Sequence, residues 1–165
     1  MSRVALSLGS NLDQPEVQLA QAVERLADIF SDIQTSVFYQ TEPVGGPAQP
    51  DYINAAVIGE TDQSPQDFIQ SLQKIEETFG RKRNGDRNQP RTLDIDLIFY
   101  DDLILDSDNL TIPHPRFRTR RFVLEPLVEL IPNFSDPISG KRLVELLREC
   151  PDRHRVTRME QHTTV

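Results

Sequence analysis

The chain has little with which to cross-link itself. Its single cysteine, Cys150, excludes an internal disulfide framework and suits a reducing cytoplasm. Basic residues are the minority, 18 Lys and Arg against 26 Asp and Glu, for a net charge of −8. An acidic protein makes a poor nucleic-acid coat, so no nucleic-acid partner is expected. Long apolar runs are missing: none approaches the roughly 20 residues that span a bilayer, so no membrane partner is expected. The opening MSRVALSLGSNL is too briefly apolar for a secretory signal. Repeats and low-complexity linkers are also missing. Residues 1–150 therefore read as one domain, and 151–165 as a polar, mobile tail. With 165 residues and 37% hydrophobics, the chain is large enough for one soluble globular core. A cytoplasmic monomer is expected.

The mean charge hides its distribution. Residues 1–80 hold three basic residues and 12 acids; 81–91 hold five basic residues and one acid. Residues 92–115 hold six Asp and no Lys or Arg, and 116–121 (RFRTRR) are again positive at +4. Arg clusters around a carboxylate stretch suggest a polyphosphate site.

Local patterns predict the elements. Residues 3–8 alternate as a strand. Asn11 or Asp13 caps a helix with Pro15 in its first turn, and Leu19, Val23, Leu26 and Phe30 recur at helical spacing. Residues 35–40 and 52–60 read as strands, separated by a Pro- and Gly-rich loop. Ser64-Pro65-Gln66-Asp67 starts a second helix. Its buried stripe is Phe68, Leu72, Ile75 and Phe79, and Gly80 stops it. Residues 92–100 form a strand, 103–112 a short hairpin or edge, 122–130 a mixed segment and 141–149 a short helix. This order predicts an α+β, ferredoxin-like βαββαβ fold: a mainly antiparallel sheet with helices on one face, plus C-terminal additions.

The sharpest motif is Leu93-Asp94-Ile95-Asp96-Leu97-Ile98-Phe99. Strand side chains alternate, so Leu93, Ile95, Leu97 and Phe99 should share a core face and Asp94 and Asp96 the other. Two same-face carboxylates repel unless a cation joins them. Mg²⁺ is the natural candidate, a hard ion that takes one or two carboxylates plus substrate phosphates. Two such ions about 4 Å apart would orient an in-line displacement at phosphorus. The alternative is a solvated strand face. Arg81, Lys82, Arg83, Arg87 and Arg91 offer charge for phosphate oxygens, or simply balance an acidic body. His114 and the arginines at 116, 118, 120 and 121 form a second such cluster, His114 reading equally as a turn histidine. Tyr52 and Asn54 share a strand face and suit a flat heterocycle, or are ordinary strand residues. A different two-metal enzyme, such as a nucleotidyl transferase, and an RNA-binding ferredoxin-like module compete as readings. The acidic total disfavours the latter.

Taken together, LGSNL (8–12), FYQTEPVG (38–45), QPDYINAAV (49–57), IEETFGR (75–81), RNQPRTLDIDLIFYDD (87–102), IPHPR (112–116) and RRFVLEPLVEL (120–130) run in one order. In them the chain resembles the 6-hydroxymethyl-7,8-dihydropterin pyrophosphokinases of folate biosynthesis. The resemblance implies transfer of pyrophosphate from MgATP to the pterin hydroxymethyl, releasing AMP, with two Mg²⁺ and a ferredoxin-like fold. It implies Asp94 and Asp96 as metal ligands, with Asp96 also a proton acceptor. Arg81 and Arg91 would contact phosphate and stabilise charge. Gln73, Glu76, Arg83, Arg87, Leu97, Thr111, His114 and Arg120 match the ATP site. Thr41, Pro43, Val44, Tyr52, Asn54 and Phe122 match the pterin pocket, Tyr52 and Phe122 sandwiching the ring. Asn88, Gln89, Asn109 and Pro115 depart from residues found in relatives.

Overall fold

The computed structural model describes residues 1–12, 14–43, 48–80 and 93–159. Strand β1 (Ser2–Ser10) is central and pairs antiparallel with β4 (Tyr52–Thr61) on one side and β5 (Asp94–Tyr100) on the other. The far side of β4 takes β2 (Ser31–Thr35) and β3 (Tyr39–Thr41). The expected single strand over 35–40 is thus two pieces. Ser36 interrupts it, its N–H donating to the Ala56 carbonyl while its Oγ accepts the Ala56 N–H, both at 2.9 Å. Two short strands, β6 (Leu105–Asp106) and β7 (Thr111–Ile112), form the expected hairpin. No helix among the described residues is long and apolar enough to cross a membrane.

Helices α1 (Pro15–Leu26) and α2 (Pro65–Thr78) cover one face of the sheet. Their Leu19, Ala22, Leu26, Phe68, Leu72 and Ile75 pack on Val4, Leu6, Leu8, Ile53, Ala55, Val57, Ile95 and Leu97. Helix α2 starts as its sequence predicts: the Asp67 N–H donates to Ser64 Oγ at 3.2 Å and Pro65 takes the first turn. Gly80 follows its end at φ +84°, a left-handed position that favours glycine. Helix α1 departs from expectation. Gln14, at φ 60°, stands at its cap position with no side-chain cap. Asn11 is turned elsewhere, and Asp13 lies outside the described residues.

The second face corrects the expectation of helices on one side only. The 3-10 turn Phe117–Thr119, α3 (Arg121–Leu130) and α4 (Leu143–Glu149) cover part of it. Phe117, Val123, Leu124, Leu127, Leu143, Leu146 and Cys150 enclose Ala5, Ala56, Ile58, Ile98 and Phe99. Phe99 is therefore not on the face of Leu93, Ile95 and Leu97. The pairing passes from Leu6↔Leu97 to Ala5↔Phe99, leaving Ile98 as an extra residue. Such a bulge shifts the alternation by one, and both Ile98 and Phe99 join the second core.

Of the tail expected over 151–165 the structure describes 151–159, and there β8 (Val156–Arg158) pairs antiparallel with β3 and extends the sheet to the order β5-β1-β4-β3-β8. Its residues lack a buried alternating pattern, and the pairing is carried by backbone hydrogen bonds.

Candidate active site

Where α3 and α4 end, the second face of the sheet turns polar. Gly9 faces Asn54 across one ladder and Asp94 across the other; Ser7 likewise faces Ala56 and Asp96. Adjacent strands lie about 4.8 Å apart, so the carboxylates of β5 and the amide of β4 flank a strip of β1 with almost no side chain. The strip must be bare at Gly9. A Cβ there would meet Asn54 Nδ2 at 2.6 Å and Tyr52 at 3.6 Å.

Asn54 is buried and fixed from both ends. Its Nδ2 donates to the Leu8 carbonyl at 3.2 Å, and its Oδ1 accepts from Thr41 Oγ1 at 2.5 Å. The sequence-predicted Thr41, Tyr52 and Asn54 are therefore brought together on adjoining strands, with Pro43 just past β3 and Phe122 in the first turn of α3. Asn11, read from sequence only as a turn or cap, ties the site's rim. Its Nδ2 donates to Gln49 Oε1 at 2.8 Å and to the Pro50 carbonyl at 3.1 Å.

On the other side lies the outer edge of β5. A cleft of about 420 Å³ runs between it, α2 and the 108–115 segment. Gln73, Glu76, Asp96, Leu97, Thr111 and His114, all singled out from sequence, line it, as do Asn109 and Pro115. Glu76 is buried, and its Oε2 accepts the Ile95 N–H at 2.8 Å. It thus fixes the strand that carries Asp94 and Asp96. His114 is held by its own N–H donating to the Ile98 carbonyl at 3.0 Å. Its Nδ1 accepts the Arg116 N–H at 3.1 Å, leaving Nε2 as the donor of the neutral ring. Burial lowers its pKa to about 4; the Arg120 guanidinium adds to this and Asp94 opposes it. Arg120 in turn stands over the Phe122 ring, 5.6 Å from its centroid. That contact joins a residue of the predicted nucleotide site to one of the predicted pterin site.

The arginine cluster at 116–121 does not act as one patch. Arg118 is bound by two bonds, 2.6 and 2.8 Å, to the fully buried Asp136. Arg121 pairs with Glu125 at 2.9 Å. Sequence reasoning missed the Arg118–Asp136 pair, because nothing local distinguishes Arg118 from Arg120. Ser7 also passed unnoticed, and Gly9 reads from sequence only as part of a turn; their signal as a bare strip is small size beside a strand of large residues. Arg81, Arg83, Arg87, Arg91 and Val44 lie outside the described residues.

An α+β domain with two carboxylates on one face of a strand, one of them lining the adjoining cleft, fits a phosphate-transferring enzyme. The family is given by similarity: residues 5–132 match the model of 7,8-dihydro-6-hydroxymethylpterin-pyrophosphokinase, and the chain belongs to that family. A Synechocystis protein named 2-amino-4-hydroxy-6-hydroxymethyldihydropteridine pyrophosphokinase is 40% identical over 145 residues, 87% of this chain and 74% of its own. A Pseudomonas aeruginosa protein of the same name is 38% identical over 154 residues, 92% and 93% of the two chains. Among solved structures, a Plasmodium falciparum HPPK-DHPS triple mutant with SDX-DHP superposes with a TM-score of 0.72 at 16% identity. That likeness is one of fold. It covers 90% of this chain and 44% of the Plasmodium chain.

Proposed function

We propose that the polar end of the second sheet face is where this chain performs its family's reaction. Pyrophosphate passes from ATP to the hydroxymethyl group of 6-hydroxymethyl-7,8-dihydropterin, giving the pterin diphosphate and AMP, a step in folate biosynthesis. The observation that carries the reading is the register through Gly9, which sets Asp94 and Asp96 on one side and Asn54 on the other, with the cleft along β5 adjoining.

In this reading ATP occupies the cleft, against Gln73, Leu97, Thr111, His114 and Arg120, with Glu76 supporting the wall. Arg83 and Arg87 join them. Neutral His114 and Arg120 offer donors to the nucleotide. The pterin lies against Thr41, Pro43, Val44, Tyr52, Asn54 and Phe122, where Asn54's fixed amide suits a heterocycle edge and the two rings suit its faces. The pterin hydroxyl oxygen bonds to the β-phosphorus as the bond from that phosphorus to the α,β-bridging oxygen breaks. AMP departs with the bridging oxygen, and Asp96 accepts the hydroxyl proton. Arg81 and Arg91 offset the charge on the phosphates. Such transfers depend chiefly on positioning and charge stabilisation. Water is a competing acceptor that the site must exclude; the lids expected over 42–51 and 82–91 fall largely outside the described residues.

Asp94 and Asp96 would hold Mg²⁺, two ions in all. The donor set fits: two hard carboxylates on one strand face suit an ion that completes its shell from phosphates and water. Bound magnesium would neutralise phosphate charge and orient the triphosphate. The strand order fits a ferredoxin-like βαββαβ core over residues 1–150, with α3, α4 and the small strands as additions. We place the enzyme in the cytoplasm as a monomer. Incubation with MgATP and the reduced pterin alcohol, followed by nucleotide separation, tests the reading. AMP in step with pterin diphosphate is expected; ADP, or turnover without pterin, overturns it.

A further inference from the structure

Residues 152–155 run between the two walls of the proposed pterin site. At one end, Asp152 Oδ2 accepts the Arg121 N–H at 3.0 Å. That amide opens α3, one residue before Phe122. Asp152 is nearly buried, and its Oδ1 accepts the His154 N–H at 2.9 Å, which sets the turn that follows. At the other end, the Arg155 N–H donates to Glu42 Oε1 and its carbonyl accepts the Glu42 N–H at 3.1 Å. Its guanidinium reaches Asp51 Oδ2 at 2.8 Å, where Gln40 Nε2 also donates at 3.1 Å. Glu42 and Asp51 stand at the two ends of the β3–β4 loop. Thr41 and Pro43 flank the first, and Tyr52 follows the second. Val156 then pairs directly with Thr41.

We propose that this segment is a strap that sets the spacing between Phe122 on α3 and Thr41 and Tyr52 on the sheet, with Asp152 and Arg155 as positioning residues for the pterin. The inference rests on the pterin reading of the site. An exposed ion pair contributes little by itself, and Arg155 is 59% exposed. Its function here is different: it holds both ends of one loop against a fixed segment. Walls held in their bound spacing lower the ordering cost of binding. No strap residue lines the cleft along β5, so the effect falls on the pterin and not on ATP.

The test compares Asp152→Ala, Arg155→Ala, the double variant and Arg155→Lys. Pterin Kd is read by pterin fluorescence, and kcat and both KM values by AMP release. Each alanine variant is expected to weaken pterin binding about three- to ten-fold, with KM for ATP and kcat within about two-fold. Arg155→Lys should recover most of the loss. The double variant should lose less than the sum of the two single losses, because both side chains act on one strap whose main-chain bonds to Glu42 remain in every variant. Unchanged pterin Kd in both single variants overturns the inference, as does an equal loss for both substrates. Wild-type protein that binds ATP but not the pterin overturns the pterin reading and this inference with it. Wild-type binding of pterin, matched by both variants, overturns the inference alone.

Discussion

Gly9 lies against Asn54 so closely that a first side-chain atom on the glycine would stand 2.6 Å from the asparagine amide nitrogen. One glycine thereby keeps bare the strip between Asn54 and the carboxylates of β5. Gly9→Ala must displace Asn54 from its bonds to Leu8 and Thr41. We expect a loss of about 1–3 kcal/mol in stability from overpacking and a larger proportional rise in KM for the pterin than for ATP. Urea unfolding and steady-state kinetics check both. Unchanged pterin KM would mean that Asn54 is not a pterin contact.

Asp96→Ala is expected to reduce kcat by at least about a thousand-fold, roughly the 4 kcal/mol that a lost charge-stabilising or proton-accepting group costs. Its carboxylate is half-buried on the strand face and outside the apolar core, so the variant should stay folded, which circular dichroism checks. Retained near-normal turnover removes Asp96 from the chemistry.

Glu76 makes a separable prediction. Glu76→Ala leaves the Ile95 N–H without its carboxylate acceptor at the edge of the cleft. An abandoned buried donor costs about 1–3 kcal/mol. The loss should appear in denaturant unfolding. Hydrogen exchange of the Ile95 amide should accelerate in the same variant, and an unchanged rate would count against the assignment.

The Arg118–Asp136 pair predicts acid sensitivity. Burial raises the Asp136 pKa, but hydrogen bonds from Arg118, Ser139 and the Ile138 N–H outweigh it and hold the carboxyl below its ordinary value. The folded state therefore favours the ionised form. Its contribution is complete above the unfolded-state pKa of about 3.9 and is lost as pH falls through the lower folded value. Breaking such a buried pair costs about 3–5 kcal/mol. Asp136→Asn should destabilise the protein by that order at pH 7, and the gap to wild type should narrow below about pH 4. A gap independent of pH would show that packing, not charge, sets the cost.

Much of the site was legible in sequence because it obeys period two. Asp94 and Asp96 fall on one face of β5, and Tyr52 and Asn54 on one face of β4, as alternation requires. The same rule failed at Phe99, where a bulge at Ile98 in β5 itself shifts the alternation by one. It failed again at β8: Val156–Arg158 is recognised by backbone pairing to β3, and no hydrophobic pattern announces that. Helix α2 carries its start signal in Ser64 and Pro65, whereas α1 begins at a left-handed Gln14 that no capping rule selects. Nor does a run of arginines reveal which member is claimed by an aspartate 18 residues further on.

The outer margin of β5 would be a hazard in an ordinary sheet, since an open edge strand invites pairing with another chain and hence aggregation. Here the Ile95 N–H is occupied by Glu76 and the Ile98 carbonyl by the N–H of His114. The groups that bound the cleft are also the groups that turn away a foreign strand. A variant that widens the cleft by removing Glu76 therefore also uncovers adhesive backbone, so solubility and ligand accommodation are opposed along this one edge.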